Sequence, residues 1–109
     1  MRFLLKVSIP TETGNARVLD GTLGQTIESI LNDIKPEAAY FAEENGERTG
    51  FIFCNIKEES EIPMLAEPFF IGLGARVEFH PAMTLADLKK AAPSFESVIQ
   101  KYSQMKKAA

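Results

Sequence analysis

The dipeptide Asn45-Gly46 constrains this chain more than any other two residues. It separates two runs of strand-forming residues, 38–43 and 49–56, and both of its positions tolerate the positive φ that a tight reversal demands. An antiparallel hairpin turning through Glu44-Asn45-Gly46-Glu47 therefore sits near the middle of the sequence. Whatever flanks it has to be arranged around that pair.

Residues 2–9 (RFLLKVSI) alternate Phe3, Leu5, Val7 and Ile9 against Arg2, Leu4, Lys6 and Ser8, the period of a half-buried strand that Pro10 closes. Leu19, Leu23, Ile27, Ile30, Leu31 and Ile34 then recur at steps of three and four. They predict one helical stripe, capped by Asn15 and stopped by Pro36. Gly21 and Gly24 fall inside it, each at a cost of about 1 kcal/mol relative to alanine. Beyond the hairpin, Ser60-Glu61 and an apolar run open a second helix with Pro63 in its first turn. Pro68 should kink or shorten that helix, and Gly72 and Gly74 end it. Residues 75–81 (ARVEFHP) alternate again as a fourth strand. Thr84-Leu85-Ala86-Asp87 has the spacing of a capping box. After Pro93, Ser94 is placed to cap a last helix with Phe95, Val98, Ile99, Tyr102 and Met105 on one side.

The order is β-α-β-β-α-β with a helical tail. Right-handed crossovers turn it into a split-βαβ, ferredoxin-like α+β fold whose four antiparallel strands lie in the order 4-1-3-2. Residues 1–92 make up that domain and residues 93–109 a C-terminal helical extension. At 109 residues there is no room for a second core.

Twelve basic against fifteen acidic residues lack the footprint of a general nucleic-acid binder, and Lys101, Lys106 and Lys107 read as a solvated helix end. The start of the chain has no cleavage pattern of a signal peptide, and the longest apolar run is far too short for a membrane span. A cytoplasmic protein is the expectation, with no membrane and no nucleic-acid partner. The only cysteine, Cys54, alternates with Ile52 and Ile56, so a buried, inert thiol is expected rather than a nucleophile.

Both helices of this fold cover one sheet face, which Phe3, Leu5, Val7, Ile52, Cys54, Ile56, Val77 and Phe79 would supply. The other face then carries Leu4, Lys6, Ser8, Phe51, Phe53, Asn55, Arg76, Glu78 and His80, with Tyr40 beside them. That face is too apolar to stay wet. Two copies packed sheet to sheet would cover it, and so would the last helix folded back.

At this point the chain resembles the dimeric α+β barrel superfamily. The split-βαβ order, a fourth strand of the type VEFHPAMT and the following TLADLKKA carry the likeness, over residues 1–92. That group includes muconolactone isomerases, antibiotic-biosynthesis monooxygenases and stress-responsive barrel proteins, as well as small proteins with no assigned chemistry. The resemblance implies a homodimer joined through the sheet face. For an enzyme, it implies isomerase-like proton transfer or cofactor-independent oxygenation of a small organic molecule.

The candidate site lies on the fourth strand. His80, the only histidine, would act as acid or base near neutral pH. Arg76 or Lys6 would hold a carboxylate or enolate oxygen, and Tyr40, Phe51 and Phe53 would form the apolar walls. Glu78, an ion-pair neighbour of Lys6 across strands one and four, would orient His80 only indirectly, because residues two apart on a strand stand roughly 7 Å apart. Equally, Lys6, Arg76, Glu78 and His80 would serve as a satisfied polar network that fixes the register of a dimer with no chemistry. Nothing in the spacing of His and carboxylates matches a metal-ligand set, no cofactor is implied, and Gly72-Leu73-Gly74 follows a helix, the reverse of a phosphate loop. Gly14-Asn15 reads as a plain helix cap rather than an anion site. Related barrels place the pocket between sheet and helices, where Phe3, Phe41, Cys54 and the first helix would matter more than His80.

Overall fold

The computed structural model describes residues 1–108, with side chains described through Met105. The elements run β1 (Arg2–Ile9), α1 (Thr11–Leu19), α2 (Leu23–Ile34), β2 (Ala38–Glu44), β3 (Glu47–Asn55), a 3-10 turn (Glu59–Glu61), α3 (Ile62–Leu73), β4 (Arg76–Pro81), α4 (Leu85–Lys90) and α5 (Ala92–Ala108). The strands form one antiparallel sheet in the order β2-β3-β1-β4, which is the expected 4-1-3-2 read from the other edge. This α+β arrangement is compatible with a ferredoxin-like fold.

The hairpin forms where Asn45-Gly46 places it. Glu44 faces Glu47 in register, and only Asn45 (φ 53°) and Gly46 (φ 79°) make the turn, both in the left-handed region. Strand parity also follows the alternation. Leu5, Val7, Ile52, Cys54 and Ile56 are buried together with Ile30 of α2 and Leu65, Phe69 and Leu73 of α3. Phe3 meets Phe79 edge to face, with ring centroids 6.1 Å apart.

The expected first helix is in fact two. Asp20 Oδ1 accepts from the Thr22 backbone N–H (3.0 Å) and from its hydroxyl (2.6 Å), and Gly21 takes φ 77°. These local bonds replace helical ones, so the chain breaks between α1 and α2 although the apolar spacing runs on through it. Leu19, counted in the stripe, is 87% exposed, and the stripe that packs starts at Leu23. Asn15 does not cap anything. It lies inside α1, where its Oδ1 accepts from Arg48 Nη1 at 3.1 Å. Gly14 is buried there because Arg48 crosses it, and a Cβ at that position would stand 2.7 Å from Arg48 Nη1.

Three further corrections concern helix ends. Glu61, not Ser60, organises the approach to α3, its Oε2 accepting from the backbone of Lys57 (2.8 Å) and Glu58 (2.7 Å). Pro68 does not shorten α3, which runs on to Leu73 with Gly72 inside it. Gly74 alone ends it, at φ 58°. α5 starts at Ala92, so Pro93 sits in its first turn and Ser94 is not its cap. The capping box of α4 is present as expected, Thr84 N–H donating to Asp87 Oδ2 (2.9 Å) and Asp87 N–H to Thr84 Oγ1 (3.1 Å).

Only Ala91 separates α4 from α5, so residues 85–108 form one nearly continuous arm. The molecule measures 63 × 30 × 22 Å, and its radius of gyration of 18.9 Å exceeds the roughly 13 Å of a compact chain this long. Phe95, Val98, Ile99, Tyr102 and Met105 are between 49% and 62% exposed. The arm does not lie over its own sheet.

Candidate functional site

The register lays the open face out in rows. One row reads Ala38, Phe53, Leu4, His80 across β2, β3, β1 and β4. The next reads Tyr40, Phe51, Lys6, Glu78, and the third Ala42, Thr49, Ser8, Arg76. All seven residues singled out for the site, Lys6, Tyr40, Phe51, Phe53, Arg76, Glu78 and His80, therefore do share one face. They are not one constellation, because charge divides the face into two halves.

At the hairpin end the charges neutralise one another. Lys6 reaches across β3 to Glu44 and also stands 3.7 Å from Glu78, its neighbour in register. Arg76 reaches across β1 to Glu47 at 2.8 Å. Glu44 Oε2 is closed off from solvent and has the Lys6 ammonium as its counter-charge. That contact raises the Lys6 pKa above its ordinary value against the opposing pull of desolvation. These long side chains span the row beneath them, which accounts for Ser8 and Thr49 being 4% and 2% exposed on an otherwise open face. Each cation thus already has a carboxylate partner on this face.

The other half is apolar. Leu4, Phe51 and Phe53 are half-buried and Tyr40 is 67% exposed. His80 sits at its edge beside Leu4, exposed, with no hydrogen-bond or ion-pair partner among the described residues. Glu78 does not orient it. The face is a flat patch with one imidazole at its margin, and none of the cavities described next reaches it.

The cavities lie on the helix side. One of about 640 Å³ opens between the end of α2, the start of α3 and the end of β3. Its apolar wall is Ile34, Cys54, Met64, Leu65 and Pro68, and its rim carries Asp33, Lys35, Glu37, Asn55 and Glu61. Pro68 has no N–H, so the Met64 carbonyl lacks its usual helical donor next to this cavity. Several rim groups are already committed. Glu37 pairs with Arg2 (2.9 Å), Asn55 Oδ1 accepts from the chain's terminal amine (3.0 Å), and Glu61 holds the backbone before α3. Asp33 and Lys35 have no such partner among the described residues. The Cys54 thiol is buried, and that burial, with Glu37 nearby, pushes its pKa up, so it stays an uncharged wall group as expected. A second cavity, about 320 Å³, lies at the opposite end between α2 and the hairpin, lined by Ile9, Leu23, Ile27 and Phe41 among others.

Of the residues weighed for a helix-side pocket, Cys54 lines the first cavity, Phe41 the second, and Phe3 a smaller third one of about 170 Å³ beside the start of α3. Asp33, Lys35, Met64 and Pro68 escaped the sequence reading. Pro68 inside an apolar helix was the one available signal, since a proline there leaves a carbonyl without a donor. Among the described residues no cluster of three or more His, Cys, Asp or Glu is placed to hold a metal ion, and no helix is long and apolar enough to cross a membrane. Neither a scan against protein-family models nor a search of curated proteins finds a match to this chain.

Proposed function

We propose that this protein binds a small organic molecule in the cavity between α2, α3 and β3. The observation that carries the reading is the cavity itself. At about 640 Å³, with an apolar wall and a few polar groups at its mouth, it falls within the range of small-molecule sites. Glu37 is offset by Arg2, which leaves the Asp33 carboxylate, without a partner among the described residues, as the acceptor for a polar or cationic end. The ligand class is therefore neutral or cationic, with a hydrocarbon or ring body against Ile34, Cys54 and Leu65 and a polar end at Asp33.

Native mass spectrometry of gently purified protein should show a small-molecule adduct. In a thermal-shift screen of neutral and cationic amphiphiles, hits should disappear in Met64→Trp, which crowds the mouth from a 71% exposed position, and survive in His80→Ala. The reverse pattern would move the ligand to the open sheet face. Absence of any adduct or shift would overturn binding.

A second reading concerns the open face. An apolar patch next to self-neutralised ion pairs favours assembly over catalysis there, and supports a homodimer in which this face is covered. Proton transfer by His80 is the weaker use of the same face, because Lys6 and Arg76 are engaged by Glu44 and Glu47.

A further inference from the structure

We infer that the helical arm of one copy docks on the open sheet face of a second copy, so that the chain assembles by exchanging arms. The inference rests on the reading of that face as an assembly surface and names what covers it. Among the described residues, the arm and the open sheet face each present an apolar surface without cover. The first is the arm stripe of Phe95, Val98, Ile99, Tyr102 and Met105; the second is the patch of Leu4, Tyr40, Phe51 and Phe53. Their lengths match: the seventeen residues of α5 span about 26 Å at 1.5 Å each, and the eight of β1 about the same at 3.3 Å.

Charge selects this pairing over the alternatives. Residues 85–109 carry five lysines against Asp87 and Glu96, a net +3, whereas residues 1–84 carry seven basic and thirteen acidic groups, a net −6. The arm is therefore drawn to the body of another copy and repelled by another arm. An arm-to-arm zipper is further handicapped by length. Leu88, Phe95 and Tyr102 recur every seven residues, but the break at Ala91 falls between the first two, and the seventeen residues of α5 alone hold fewer than the three or four heptads of a coiled coil. Sheet-to-sheet packing would cover the patch and leave the arm stripe bare. Exchange covers both, twice over, about one two-fold axis.

The test is the mass of the full-length chain in solution by light scattering or sedimentation. Wild type should weigh about 24 kDa, twice 12.1 kDa. Ile99→Glu changes a 62% exposed position and should give a folded monomer with unchanged circular dichroism. Phe53→Asp, on the sheet, should do the same, and Tyr40→Asp at its exposed edge serves if Phe53→Asp fails to fold. Mixing Ile99→Glu with Phe53→Asp should restore a 24 kDa species, since one sound arm meets one sound sheet. An Ile99→Glu variant that stays dimeric overturns arm docking in favour of sheet-to-sheet packing. A sheet variant that stays dimeric, with Ile99→Glu monomeric, overturns it in favour of the zipper. A monomeric wild type overturns assembly altogether, and leaves cavity binding untouched.

Discussion

Leu4 and Leu5 are consecutive residues of β1 with opposite surroundings. Leu5 is fully buried under α2 and α3, while Leu4 lies half-exposed on the uncovered face beside His80. Alternation places two equal side chains on either side of one sheet, and only one side receives helices. The difference teaches where stability and where interaction reside. The covered face holds the fold together, and the other is left to meet something else.

Truncation should separate the two faces most sharply. Leu5→Ala should cost about 2–5 kcal/mol in urea unfolding, as expected for a large buried side chain that leaves a cavity. Leu4→Ala should cost less than about 1 kcal/mol of fold stability and act mainly on association, read as a shift in the concentration dependence of the mass. Equal costs at dilute, monomeric concentration would mean that both faces are core, and the comparison would fail.

A smaller effect is expected where the arm is rooted. Thr84→Ala removes the hydroxyl that accepts the Asp87 N–H and should cost about 0.5–2 kcal/mol of local helix stability. Hydrogen exchange should show that loss in α4 while Leu5 and Ile52 amides keep their protection. Loss of protection across the whole sheet would show the arm to be part of the core.

The smallest effect is acid sensitivity outside the sheet. Backbone hydrogen bonds hold the Glu61 and Asp87 carboxyls below their ordinary values. A carboxyl whose folded pKa is depressed contributes stability above its unfolded value, near pH 4, and loses it as the pH falls through the folded one. The starts of α3 and α4 should therefore loosen first below about pH 4, seen as a small early loss of helical signal before the sheet melts. Simultaneous loss of both signals would remove the distinction.

The sheet was legible in the sequence because its signals are local. Asn45-Gly46 sets the hairpin and the alternations in β1, β3 and β4 decide which residues face the helices. The α1–α2 break was not legible, because Leu19 and Leu23 keep helical spacing across it and the competing Asp20–Thr22 bonds depend on one side-chain geometry. The open-face residues were found, and so was the pairing of Lys6 with Glu78 in the next strand, yet the longer-reaching partners were not. Glu44 and Glu47 reach Lys6 and Arg76 across intervening strands, and such diagonals depend on register and rotamer together. The helix-side cavity depends on how α2 and α3 sit relative to β3, which no local pattern encodes.

The projecting arm also alters how the molecule moves through water. A chain of 12.1 kDa with a radius of gyration of 18.9 Å drags more solvent than a sphere of its mass. A lone copy would leave a sizing column early and pass for something heavier. Two copies with their arms laid down would be nearly globular, and would run much closer to their true mass. Assembly would thus show itself as a gain in mass accompanied by a drop in frictional ratio, a signature that end-to-end association of elongated subunits would not share.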